Sequence, residues 1–211
     1  MTSKYALNPN LHVCVTPAGA YHAATAAAGD PTALLLARLL GLPATPLLDG
    51  AALRDLAMAQ DEDAMLEMLY RMQEVGWLDG AAAARPAPSL NMERDVPRLL
   101  AELTRDGRAL LADEQGFHLA STGFAHEAVE ELAALASEVT ALQRRYQSLV
   151  RDNLRIQAAG WGAVDAAANG QLSFWPLRVG AHSFVLTIAG APVLDRPAFT
   201  DLIWWLFRRY A

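Results

Sequence analysis

Hydrophobic and polar positions follow one clear order of spacings in the second half of the chain, from 93 to 211. Apolar residues recur every three or four positions where a helix is expected and every second position where a strand is expected. The order is helix, strand, strand, long helix, three strands, helix. It predicts an α/β (α+β) fold with a five-stranded antiparallel sheet and flanking helices. The predicted elements are a helix at 93–104, strands at 108–113 and 117–122, a helix at 124–152, strands at 156–166, 171–177 and 182–189, and a helix from 197.

The long predicted helix at 124–152 carries two kinds of stripe. We expect its large apolar residues to form one buried face. That expected face contains Val129, Leu132, Leu135, Ala136, Val139, Leu142, Tyr146 and Leu149.

Small residues recur beside that face, at Ala134, Ala141 and Ser148, with Ser137 one turn from Ala134. Small side chains at intervals of seven allow close approach of another helix. The alternative is that alanine is simply a good helix former. Both interpretations stay open.

In the first half, apolar runs at 11–15 and 20–25 flank Thr16-Pro17-Ala18-Gly19, which predicts a β-hairpin. Three helices are predicted to follow, each beginning at an aspartate, and Gly76-Trp77-Leu78 follows the third. These aspartates are Asp30, Asp49 and Asp61.

Three short helices followed by Gly-Trp-Leu resemble a winged-helix domain, a class that often binds DNA. The third helix is acidic, with Asp61, Glu62, Asp63, Glu67 and Glu74 around a single Arg71. Because phosphates bind basic surfaces, we expect a protein-docking module there and no nucleic-acid partner.

The segment between the halves is rich in alanine and proline and has no apolar period, which is typical of a linker. We therefore predict three parts. They are a small, mostly helical winged-helix-like module at 1–79, a linker at 80–92 and an α/β domain at 93–211.

Composition narrows the class of protein further. Charged residues make up 19% and the formal net charge is −6, which disfavours anionic partners. The single cysteine, Cys14, excludes an intramolecular disulfide. We see neither a signal peptide nor an apolar run long enough to span a bilayer, so we expect a cytoplasmic protein without direct membrane insertion.

Motifs for catalysis are missing from the sequence. The five histidines are scattered, and no metal-ligand pair, nucleophile elbow or phosphate-binding loop occurs. We predict no catalytic residue, no cofactor and no metal, and therefore no enzyme.

Two short motifs and the element order resemble the roadblock/dynein light chain family. Asp113-Glu114-Gln115-Gly116 matches its hairpin turn, and Ala120-Ser121-Thr122-Gly123 matches its exit into the long helix. The resemblance covers 93–211. It implies an adaptor or regulator that forms homodimers through its long helices and, as in the bacterial MglB-type members, binds a Ras-like small GTPase.

By this resemblance the partner or dimer interface lies on the long helix. The residues we assign to it are Ala134, Ser137, Ala141, Arg144, Arg145 and Ser148. Trp204 of the last helix falls opposite the apolar face and is either a further interface residue or buried under the first half of the chain. A second hypothesis is a scaffold or adaptor subunit of a larger cytosolic or membrane-associated machine without a GTPase partner.

Overall fold

The chain divides after Ser89, and its last helix groups with the first part of the chain. A computed structural model describes residues 5–59, 61–156 and 159–211. Its two compact units are Met1–Ser89 with Phe199–Ala211 (unit 1) and Leu90–Ala198 (unit 2). The sequence placed the last helix with the α/β domain instead, because a helix after three strands completes the predicted element order.

Unit 1 is mostly helical and holds one short two-stranded ribbon. Within the ribbon, Val13 lies opposite Gly80 and Val15 lies opposite Leu78. The elements are β1 (His12–Val15), α1 (Pro17–Thr25), α2 (Pro31–Gly41), α3 (Gly50–Ala57), α4 (Glu62–Glu74), β2 (Leu78–Ala81) and α7 (Pro197–Tyr210).

The hairpin predicted at 11–25 is wrong. Helix α1 takes the place of its second strand, and β1 pairs with the distant β2. The Thr16 side chain accepts a hydrogen bond from the Gly19 backbone N–H, and Pro17 occupies the first helical turn. Thr-Pro therefore begins a helix here rather than a turn, and the alanine-rich segment that follows continues it.

The three predicted aspartate starts are confirmed. Asp30, Asp49 and Asp61 each accept hydrogen bonds from backbone N–H groups at the starts of α2, α3 and α4. These caps satisfy N–H groups that have no partner within a helix. The helices enclose a core that includes Leu35, Leu36, Leu39, Leu53, Met65, Leu69 and Met72.

The predicted linker at 80–92 is partly built into unit 1. The Thr45 backbone N–H donates to the carbonyl of Arg85, and the Ala87 N–H donates to the carbonyl of Pro43. Asp201 of α7 binds the Arg85 guanidinium. Proline and alanine here supply an extended segment that pairs with the loop after α2.

Unit 2 confirms the predicted α/β class. Its five antiparallel strands lie in the order β4-β3-β7-β6-β5. The elements are α5 (Val96–Glu102), β3 (Ala109–Asp113), β4 (His118–Thr122), α6 (His126–Ser148), β5 (Trp161–Val164), β6 (Gly170–Val179) and β7 (His182–Ala189). The strand predicted at 156–166 is shorter, and positions 157 and 158 lie outside the described residues.

The tight turn between β3 and β4 follows from its sequence. Asp113 accepts hydrogen bonds from the backbone N–H groups of Gln115 and Phe117. Gly116 has a φ of 88°, in the left-handed region that favours glycine. The residues of the turn motif that carried the family resemblance thus form this turn through their own hydrogen bonds and through the conformation of Gly116.

Candidate protein-interaction surface

Helix α6 covers the sheet with one face and exposes large apolar residues on another. Its buried residues are Val129, Ala133, Ala136 and Thr140. Val129 and Ala133 pack with Leu110 and Ala112 of β3, and Ala136 packs with Phe174 and Val185. A π-helical turn over Leu149–Asn153 continues the helix.

Four large apolar side chains stand exposed along another side of this helix. Their exposed fractions are 44% for Leu135, 41% for Leu142, 44% for Tyr146 and 43% for Leu149. Intervals of seven, four and three residues return to one side of a helix. We call these four residues the apolar stripe.

The sequence placed the whole apolar stripe in the buried face, and that expectation is wrong. The sheet covers the side that carries Val129, Ala133 and Ala136, with Leu132 and Val139 partly buried beside it. The apolar positions of α6 span a wider arc than one sheet can cover. That width was visible in the sequence and indicated that some of these apolar positions would stay exposed.

Two of the small residues assigned to the interface serve the β3–β4 turn within the chain. The Ser137 hydroxyl donates to the Glu114 carbonyl at 3.0 Å. A Cβ at Gly116 would lie only 3.2 Å from the Ala134 Cα and 3.4 Å from the Ser137 Cβ. The turn therefore rests against α6 at these two positions, and small side chains permit that approach.

The other assigned residues of α6 stand exposed. Ala141, Arg145 and Ser148 lie at the surface. Arg144 is also exposed and its guanidinium lies 3.9 Å from the Glu114 carboxylate. The assigned residues thus fall into two groups, one against the turn and one available to a partner.

Trp204 is separate from this surface. Its side chain is 3% exposed, and its indole N–H donates to the Leu42 carbonyl at 3.0 Å. Every residue from 202 to 207 of α7 is buried, so the helix has no exposed apolar side on which Trp204 could lie. Of the two alternatives from the sequence, burial under the first half of the chain therefore describes the position of Trp204. An intermolecular interface does not.

Within 5–59, 61–156 and 159–211, no group of three histidine, cysteine or acidic side chains is placed to hold a metal ion. In the same ranges no helix combines the length and the apolar character needed to cross a bilayer.

Comparison with known proteins adds a likeness of fold. No protein-family model matches the chain. No curated protein matches it either. Solved structures of a roadblock/LC7 domain and of MglB proteins do match. The chain is similar to roadblock/LC7 proteins.

A roadblock/LC7 domain from Streptomyces avermitilis is 15% identical, with 53% of this chain and 87% of that chain covered and a TM-score of 0.34. Myxococcus xanthus MglB is 14% identical, with 55% and 94% covered and a TM-score of 0.34. The gliding protein MglB from Thermus thermophilus is 17% identical, with 55% and 84% covered and a TM-score of 0.35.

The family that the sequence resembles is also the one named in the first of these matches, and the matches cover just over half of this chain. At this level of similarity they say nothing about partners or activity.

Proposed function

We propose that this protein is a roadblock-type homodimeric regulator or adaptor of a Ras-like small GTPase, and that it acts by binding rather than by catalysis. The apolar stripe carries the proposal. Four large apolar side chains on one side of a helix, each more than 40% exposed, favour a protein partner over water. A second copy of α6 offers a matching stripe.

The size of the apolar stripe limits what it supplies alone. Removing each half-exposed side chain from water contributes roughly 1 kcal/mol. Eight such side chains in a symmetric pair contribute about 8 kcal/mol, which is of the same order as the cost of association. The dimer contact must therefore include further residues, and Ala141, Arg145 and Ser148 are exposed in the same part of α6.

The GTPase partner follows from the family resemblance, in which the long helices of a dimer form the platform for a Ras-like protein. Arg144 and Arg145 lie on the exposed part of α6 and supply positive charge in a chain whose net charge is −6. We place the protein in the cytoplasm, with no nucleic acid and no inserted membrane segment among its partners.

The first test is the mass of the protein in solution, measured by light scattering for the parent and for Leu142→Glu. We expect a dimer for the parent and a monomer for the variant, because a charge in an apolar contact loses its hydration. Leu34→Glu on α2 is the matched control, because Leu34 is 45% exposed and receives the same change. A monomeric parent would rule out the homodimer.

The second test is capture of partners from the lysate of the source organism, once with a non-hydrolysable GTP analogue and once with GDP. A Ras-like GTPase retained in only one nucleotide state supports the proposed regulator. Loss of that GTPase with Leu142→Glu, but not with Leu34→Glu, assigns the contact to α6. The same non-GTPase proteins in both samples would instead identify a scaffold.

A further inference from the structure

A cavity of about 210 Å³ lies in unit 1, between α4, the β1–β2 ribbon and the segment that precedes β1. Most of its wall is aliphatic. The leucines that line it are Leu7, Leu11, Leu48, Leu66, Leu69 and Leu78, with Val13 beside them. Leu66, Leu69, Leu78 and Val13 are all more than nine-tenths buried, so the wall belongs to the packed core of the unit.

Two aromatic rings form part of the lining. Tyr5 and Tyr70 stack with their centroids 4.5 Å apart and an angle of 25° between the rings. The Tyr70 hydroxyl donates to Glu74 at 2.6 Å, which holds that ring in place. Asn8 and Gln73 supply amide groups to the lining. The cavity thus has apolar walls with a few uncharged polar groups.

Among the described residues that line this cavity, from Tyr5 onward, no charged side chain is directed into it. Asp79 is the one acidic residue of the lining, and the ribbon register places it opposite Cys14. Leu78 and Gly80 face the cavity with Val13, and successive strand residues point to opposite faces. Burial is the main cause that raises the pKa of the Cys14 thiol, and the Asp79 carboxylate is the second. This agrees with an Asp79 side chain on the same face of the ribbon as Cys14.

We infer that this cavity binds a small uncharged apolar molecule with an aromatic body of about two fused rings. An apolar cavity of roughly 150 Å³ holds benzene, so about 210 Å³ has room for a somewhat larger ring system. A charged ligand would lose its hydration without gaining an ionic partner. Aliphatic walls and the tyrosine pair provide contacts for an uncharged ring. This site is independent of the function proposed for α6.

Indole is the probe that tests this inference, with indole-3-acetate and tryptamine as its anionic and cationic counterparts. Binding to the full chain is followed by calorimetry and by the methyl NMR signals of the leucines. We expect saturable indole binding that shifts the signals of Leu7 and Leu69. We expect each charged analogue to bind at least about ten-fold more weakly.

Gln73→Trp and Arg71→Trp form the matched pair of variants. Both positions are exposed on α4, but only Gln73 lines the cavity. Gln73→Trp should weaken indole binding at least about ten-fold by filling the entrance, whereas Arg71→Trp should leave it within about two-fold. Equal thermal midpoints for the two variants show that both remain folded.

Three results would overturn the inference. They are no saturable binding of indole up to its solubility, tighter binding of either charged analogue, and equal binding by the two tryptophan variants. In the first case the cavity is a gap in the packing of unit 1.

Discussion

The indole N–H of Trp204 donates to the backbone carbonyl of Leu42 at 3.0 Å, across 162 positions of the chain. The Arg208 guanidinium donates to the neighbouring Gly41 carbonyl at 2.9 Å. Helix α2 ends at Gly41, and the last carbonyls of a helix have no partner within it. Two side chains of α7 therefore cap the end of α2.

Replacement of Trp204 separates this hydrogen bond from the packing of the ring. We expect Trp204→Phe to lower the free energy of unfolding by about 1 kcal/mol, because the ring volume is largely kept and one hydrogen bond is lost. We expect Trp204→Ala to cost roughly 3–5 kcal/mol, because a buried ring is removed. Urea denaturation measures both. No loss for Trp204→Phe would contradict a role for the Leu42 bond, and equal losses for the two variants would contradict a contribution from packing of the ring.

Gly116 and Gly29 test the close approach of the β3–β4 turn to α6. Their φ values are 88° and 85°, so a Cβ strains both backbones alike. A Cβ at Gly29 meets no atom within 4 Å, whereas one at Gly116 lies 3.2 Å from the Ala134 Cα. We expect Gly29→Ala to cost about 1 kcal/mol. We expect Gly116→Ala to cost about 1–3 kcal/mol more.

Free energies of unfolding from urea denaturation check this pair. A similar loss for both variants would show that the turn moves away from α6 without cost. Ser137→Ala, which removes the donor to Glu114, is then expected to be nearly neutral as well.

Asp30 makes the stability of unit 1 depend on pH. Burial raises the pKa of its carboxyl. Hydrogen bonds from the Thr32 side chain and from the Ala33 and Thr32 backbone N–H groups lower this pKa, and so does the charge of the nearby His22. The net shift is downward from 3.8. A group with a lowered pKa in the folded state adds stability above its unfolded pKa. That stability is lost as the pH falls below 3.8 through the lower folded value.

The difference in free energy of unfolding between the parent and Asp30→Asn should therefore shrink as the pH falls below 3.8, because asparagine keeps the cap without the charge. Denaturation at a series of pH values from neutral downward measures this. Thr32→Val, which removes one hydrogen-bond donor, should show a weaker pH dependence than the parent. If the difference in free energy of unfolding between the parent and Asp30→Asn stays constant as the pH falls, the lowered pKa of Asp30 is not the cause of the pH dependence.

Substitutions at two neighbouring residues of α6 test whether the apolar stripe or the small residues form the centre of the dimer contact. Leu142→Glu should raise the dissociation constant at least about 100-fold. Ala141→Glu should raise it by only about ten-fold, because Ala141 is exposed but lies about 100° around the helix from Leu142. Sedimentation velocity over a range of concentrations measures both constants. The reverse order would place the small residues at the centre of the contact.

The sheet of unit 2 could be predicted from the sequence because its signals are local. Asp113 and Gly116 determine the first turn, and the loop before Gly170 is closed by Asp165, which accepts hydrogen bonds from Ala167 and Asn169. Strands between such turns pair with their neighbours in the chain. The exception is β3, which also pairs with the distant β7.

Errors arose where pairing or coverage depends on distant residues. Nothing near 11–25 shows that β1 pairs with β2 some sixty positions away, so a nearby strand was assigned to residues that form α1. The spacing of Leu135 and Leu142 shows that they share one side of a helix, but not whether the sheet or a partner covers that side. The small residues were chosen as an interface by their spacing, and the exposure of Leu135 and Leu142 could not be foreseen.

Unit 1 is assembled from two separate stretches of chain, whereas unit 2 is continuous from Leu90 to Ala198. During synthesis, unit 2 can fold as soon as Ala198 has left the ribosome. Unit 1 must wait for Phe199–Ala211, which supplies Trp204 and Arg208 to the end of α2. The stretch up to Ser89 is thus synthesised before unit 2 but becomes part of a complete unit only after it.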